Sequence, residues 1–254
     1  MQQRALVRRP GPDLADGLVT HVERTPVDAG LALRQWQAYV DALHAAGWET
    51  VEVPPADECP DAVFVEDTVV VYGGLAVLAR PGADRRRPEV AGTEGTLRGL
   101  GYRIARIEAP GTLDGGDVLK HGGTVWVGTG GRTDDEGARQ LADLLAPLGA
   151  CVVPAPVTRV LHLKSGVTAL PDGTVIGYEP LVDDPAAWPS FLPVPEPEGA
   201  HVVLLDGSTV LMSSGAPATR ALLERRGLRV VAVDISEFEK LEGCVTCLSV
   251  RLRG

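Results

Sequence analysis

The sequence predicts an α/β fold built as a ring of five ββαβ units around one central pocket. Three observations predict it. Paired β-rich runs around a tight turn recur four times. Amphipathic helical segments and single strands alternate with them. Each end of the chain carries one leftover strand pattern.

The first pair is DTVVVYGGLAVLA (67–79), turning at Gly73-Gly74. The next are GDVLKHGGTVWVGTG (116–130) at Gly122-Gly123, GVTALPDGTVIGY (166–178) at Asp172-Gly173, and HVVLLDGSTVLMS (201–213) at Asp206-Gly207. Gly-Gly and Asp-Gly between β-rich runs signal hairpins, because two-residue hairpin turns need positive φ. The clearest helical pattern is 134–149, with Leu141, Leu144, Leu145 and Leu148 on one face, Asp134 placed to cap its start and Gly149 to end it. Segments 30–48 and 217–228 behave alike, and 89–101 is weaker because of its glycines. Short strands follow at 50–53, 102–107, 151–154 and 229–233. RALVRR (4–9) and TCLSVRL (246–252) remain, and pairing them closes the ring without an unpaired terminal edge. The alternative, an open doubly wound sheet, joins parallel strands through helices rather than hairpins.

The 254 residues, 44% hydrophobic, suffice for a full core and are read as one catalytic domain over 1–254. The net charge of -10 repels phosphate backbones and anionic lipid, so nucleic acid and membrane surfaces are discounted as partners. The charge is compatible with a cationic ligand, although by itself it more often serves solubility alone. No stretch reaches the roughly 18 to 20 apolar residues of a spanning helix, and the N-terminal segment does not read as a signal peptide. Four cysteines make no disulfide framework. The expectation is a cytoplasmic protein with reduced thiols.

The junctions between strand and hairpin hold the reactive residues. They are Asp61, Glu66 and Asp67 in CPDAVFVEDT, Asp114 and Asp117 in TLDGGD, His162 in VLHLKSG, and Glu242 and Cys247 in LEGCVTC. In a ring of equivalent units such positions converge on the axis. A lone histidine between leucines, or acids in a glycine turn, would by themselves more often be structural. Two adjacent acids entering an apolar strand are costly unless paired with a cation, so Glu66-Asp67 favours function. The C-x-x-C of Cys244 and Cys247 lacks the helix of a redox motif and the further ligands of a zinc site. It reads as one nucleophilic cysteine with a neighbour.

The motifs PDAVFVEDT (60–68), RPGADRRRPEV (80–90), TLDGGDVL (112–119), GRTDDEGA (131–138), LHLKSG (161–166) and EGCVTCLSV (242–250) together resemble the dimethylarginine dimethylaminohydrolase family of the guanidine-modifying superfamily. They run in order from about residue 60 to the C-terminus. The resemblance implies a five-bladed α/β propeller around a central active-site pocket. It implies hydrolysis of Nω-methylated arginine to citrulline through a covalent cysteine adduct, with no metal or organic cofactor. Arginine deimination is the alternative, and a non-catalytic binder of cationic amino acids a third. The family register makes Cys247 the nucleophile, with Cys244 at an apolar position, His162 the general acid and base, and Asp114 its acidic partner. It gives Glu66 and Asp67 the guanidinium, Asp61 the α-amino group, and Arg86 and Arg132 the α-carboxylate. Phe64, Glu242 and a lid around Leu18 complete the implied substrate contacts. A monomer or a homodimer is expected.

Overall fold

The computed structural model describes residues 3–253. In chain order they form β1 (Arg4–Val7), α1 (Ala29–Ala45) and β2 (Glu49–Glu52), then β3 (Val69–Tyr72), β4 (Leu75–Leu78), α2 (Val90–Gly99) and β5 (Arg103–Arg106). Next come β6 (Val118–His121), β7 (Thr124–Thr129), α3 (Asp135–Leu145) and β8 (Cys151–Pro156), then β9 (Val167–Ala169), β10 (Val175–Gly177) and β11 (Phe191–Pro193). The chain ends with β12 (Val202–Leu204), β13 (Thr209–Ser213), α4 (Pro217–Arg225), β14 (Arg229–Val233), α5 (Ser236–Glu239) and β15 (Val250–Leu252).

Five three-stranded sheets result, each an antiparallel pair extended by one parallel strand. The four hairpins form where the turn dipeptides predict them. Gly122 and Gly123 carry φ of 56° and 85°, the double positive φ that a type I′ turn demands. The fifth sheet joins the chain ends. β1 pairs antiparallel with β15, with Arg4 opposite Leu252 and Leu6 opposite Val250, and parallel with β2. The ring is therefore closed by the chain termini, as the two leftover patterns require.

The helices pack outside the sheets. In α3 the Asp134 side chain accepts the Gly137 N–H at 2.7 Å, and Gly149 ends the segment at φ 78°. Leu141 and Leu145 are fully buried, each contributing about 2 kcal/mol. Leu144 and Leu148 pack at the edge of the same cluster. The unit holding β9 to β11 departs from the pattern. Two 3-10 turns, Glu179–Leu181 and Pro185–Ala187, replace its helix. Pro180, Pro185 and Pro189 explain this, since each removes a backbone donor and resists helical continuation.

The first strand of every hairpin, together with β15, faces the axis. Val69, Val118, Thr168, Val202 and Val250, one from each sheet, line a common axial cavity. The chemistry-bearing junctions immediately precede these strands and so meet at one end of the axis. No helix among the described residues is long and apolar enough to cross a membrane.

Candidate active site

Two short 3-10 helices bring the acids in. Val65–Thr68 precedes β3 and carries Glu66 and Asp67, and Gly115–Asp117 precedes β6. His162 precedes a third, Leu163–Ser165, ahead of β9. Cys247 ends a turn before β15, its N–H donating to the Cys244 carbonyl at 3.0 Å.

Asp67, His162 and Cys247 line one small cavity. Leu18, Asp61 and Phe64 form part of its wall, with Arg86, Arg132 and Glu242. Asp114 stands behind the ring of His162, its Oδ2 at 3.1 Å from Nε2, and Asp67 Oδ1 lies 3.7 Å from Nδ1. All three groups are buried. Gly116 permits this approach. A Cβ there would lie 2.5 Å from His162 Nδ1 and 2.6 Å from Asp67 Oδ1. The Gly116 N–H also donates to Asp67 at 2.8 Å. Gly243 is fixed in the same way, since a Cβ would lie 2.2 Å from the Phe64 ring.

Burial alone would lower the His162 pKa, but Asp67, Asp117 and Asp114 outweigh it and push the ring up to about 9. Imidazolium is thus the resting form. For Asp67, burial works against ionisation, while His162 and Arg86 hold the carboxylate down to about 2. Asp117 is pushed up to about 6 by burial. It accepts the Thr133 hydroxyl at 2.7 Å and the Leu163 N–H at 2.9 Å, so it fixes the backbone immediately after the histidine.

Arg86 is not left free for a ligand. Its guanidinium donates to Asp67 at 2.6 Å and holds Glu89 in two hydrogen bonds at 3.0 and 2.9 Å. Burial opposes its charge, yet Glu89 and Asp67 hold its pKa well above the ordinary value. Arg132 differs. It is half-buried on the cavity wall, and among the described residues its side chain has no hydrogen-bond or ion-pair partner.

Glu66 is placed differently from Asp67. Its side chain does not line this cavity. It points along the axis to the opposite cavity, where Oε1 lies 2.6 Å from both Lys164 Nζ and Arg251 Nη2. The cause is helical geometry: adjacent residues of a 3-10 helix diverge by about 120°. When Asp67 faces the site, Glu66 therefore faces away.

A loop from the N-terminal segment closes over the cavity. The Leu18 N–H donates to Asp61 at 2.9 and 3.2 Å. The Thr20 and His21 N–H groups donate to Glu242 at 2.7 and 2.6 Å. Glu242 holds this place at φ 61°, a left-handed conformation unusual for a residue with a side chain.

Cys244 Sγ lies 3.3 Å from Cys247 Sγ, and the Cys244 N–H points at Cys247 Sγ at 3.5 Å. The S–H···S contact pulls Cys244 down to about 5, while the same contact and burial push Cys247 well up. Asp67, Asp114 and His162 place their ligand atoms within 4.8 Å of one another, a spacing a metal ion would accept. Those atoms already face Arg86, Gly116 or each other.

No family model matches the chain. It is 64% identical over 251 residues to the N(G),N(G)-dimethylarginine dimethylaminohydrolase of Streptomyces coelicolor, covering 99% of this chain and 97% of that one. Among solved structures, a dimethylarginine dimethylaminohydrolase in adduct with S-methyl-L-thiocitrulline superposes with a TM-score of 0.92 at 34% identity. The alignment covers 99% of this chain and 100% of the other. The enzyme of Pseudomonas aeruginosa complexed with citrulline matches with the same score, identity and coverage.

Proposed function

The chain belongs to the dimethylarginine dimethylaminohydrolase family, and from that membership we infer that it hydrolyses Nω-methylated L-arginine to L-citrulline and methylamine or dimethylamine. The observation that carries this reading is the meeting of Cys247, His162 and Asp67 in one cavity that also holds Arg132. Residues 1–254 act as a single catalytic domain.

The substrate guanidinium is planar, cationic and a poor electrophile. Asp67 supplies the opposing carboxylate and fixes the plane of the cation beside Cys247. Arg132 takes the α-carboxylate and Asp61 the α-amino group, so the Leu18 N–H must share Asp61 with the ligand. Arg86 acts through Asp67, holding that carboxylate ionised and in place. The arriving cation favours the thiolate form of Cys247.

The thiolate of Cys247 adds to the central guanidinium carbon. Imidazolium His162 gives its proton to the departing amine nitrogen, the C–N bond breaks, and a thiouronium adduct remains. Neutral His162 then accepts a proton from water as the water oxygen adds to the same carbon. Breaking the C–S bond returns the electron pair to sulfur, the hydroxyl proton passes to solvent, and citrulline is released. Asp114 holds the ring orientation in both half-reactions.

Incubation with asymmetric dimethylarginine, monomethylarginine and arginine, with citrulline and amine measured, tests the reading. Citrulline should form from the methylated substrates. Turnover confined to arginine, or no turnover of any of the three, would overturn it.

A further inference from the structure

Cys244 has no part in that chemistry. It does not line the cavity and packs within the largest apolar cluster. Its sulfur nevertheless touches that of Cys247, and both side chains are buried. The 3.3 Å separation must close to about 2.0 Å for a bond. The backbone already suits one. The Cys247 N–H to Cys244 carbonyl bond defines a turn whose end Cα atoms lie within about 7 Å, the span that disulfides bridge.

We propose that Cys244 and Cys247 form a reversible oxidative modification site, in which a hydroperoxide links the two thiols and Cys244 acts as the resolving cysteine. Cys247 is reached first because it faces the cavity. Its sulfur attacks one peroxide oxygen, the O–O bond breaks, the thiol proton passes to the departing oxygen, and a sulfenic acid and water (or an alcohol) form. The Cys244 sulfur then attacks the sulfenic sulfur, expels water, and leaves a disulfide. The peroxide is reduced by two electrons and the two thiols are oxidised by two. An external dithiol reverses the step by exchange. Through the nucleophilic role of Cys247 the bond stops turnover, and it protects that sulfur from irreversible sulfinic oxidation. Only this consequence rests on the proposed function; formation of the bond does not.

The test treats the reduced full-length protein with hydrogen peroxide and maps peptides by mass spectrometry. The wild type should show a peptide containing both cysteines that has lost two hydrogens. Its turnover should fall by about tenfold or more and return to within about twofold on adding dithiothreitol. Cys244→Ala should keep basal turnover within severalfold, show sulfinic acid at Cys247 after the same treatment, and fail to recover. Absence of the linked peptide from the wild type would overturn the proposal, as would recovery of Cys244→Ala to the wild-type extent. Because the linked peptide is read without substrate, an inactive protein would count against the proposed function and not against this site.

Discussion

His162 Nε2 lies 3.1 Å from Asp114 Oδ2, and the pair is wholly buried. A buried imidazole beside carboxylates is a charged group whose protonation is coupled to folding. Its folded pKa of about 9 stands above the ordinary 6.5, so its stabilising effect is complete below about 6.5 and lost as pH rises through about 9. The advantage of wild type over His162→Gln in unfolding free energy should shrink across that window by up to about 3 kcal/mol. Asp117, raised to about 6 by burial, changes stability only below this window. Urea titrations at pH values spanning it provide the measurement, and a pH-independent difference would contradict a charged resting histidine. His162→Gln should also lose turnover.

Cys247→Ala should abolish citrulline formation, while the adjacent apolar position tolerates change. Cys244→Ala should keep most of the rate, because its sulfur lies outside the cavity. Steady-state assays under reducing conditions compare the two, and equal loss in both would remove the single-nucleophile assignment.

Asp67 and Glu66 are neighbours in sequence with opposite destinations, which separates two effects. Asp67→Asn should raise KM and lower kcat, because the amide loses the charge facing the guanidinium. It should also destabilise by about 2 kcal/mol, because Arg86 loses one of its two carboxylate partners and keeps Glu89. Glu66→Gln leaves Lys164 and Arg251 without their counter-charge and should cost similar stability. Its effect on KM should be much the smaller of the two. Substrate titrations alongside denaturant unfolding decide between them. A KM rise in Glu66→Gln as large as that in Asp67→Asn would return Glu66 to the site.

The Glu242 carboxylate holds the covering loop through the Thr20 and His21 amides. Hydrogen bonds to a charged acceptor contribute about 1.5 to 3 kcal/mol, so Glu242→Ala should speed hydrogen exchange at both amides by about tenfold or more. Amides in α3 should exchange unchanged. Unaltered exchange at Thr20 and His21 would show that the loop is held elsewhere, for instance by Arg24, which donates to the Ala15 and Gly17 carbonyls.

What was legible in the sequence was what local rules encode. Turn dipeptides located the hairpins, apolar periodicity located α3, and the two unmatched strand patterns located the closure. The junction residues converged because repetition imposes equivalence. What escaped was direction and long-range pairing. No local signal says that Glu66 turns away from Asp67. Asp117 looked like a turn residue in DGGD, yet it braces Thr133 and Leu163. Arg8, within a strand pattern, is fully buried and donates to the Pro54, Ala62 and Glu89 carbonyls, fixing segments that carry Asp61 and Arg86. Such roles depend on partners tens of residues away. β11 was hidden by prolines that break the helix pattern before it.

Arg132 offers the sharpest test of how the amino-acid end is recognised. It lines the cavity with an unpaired guanidinium among the described residues, whereas Arg86 is saturated by Asp67 and Glu89. A carboxylate entering the site therefore gains a new partner at Arg132 and none at Arg86 without breaking a buried pair. Such a contact would lie away from the reacting carbon and act equally in ground and transition states. Its loss should raise KM more than it lowers kcat. Arg132→Ala should accordingly weaken binding of methylarginine by about tenfold or more, the scale of one charge-assisted pair. A methylated alkylguanidine lacking the carboxylate should be nearly as poor with wild type as with the variant. Initial rates with both substrates give four kcat/KM values. If Arg132→Ala still preferred the intact amino acid as strongly as wild type does, the carboxylate would have to be bound elsewhere.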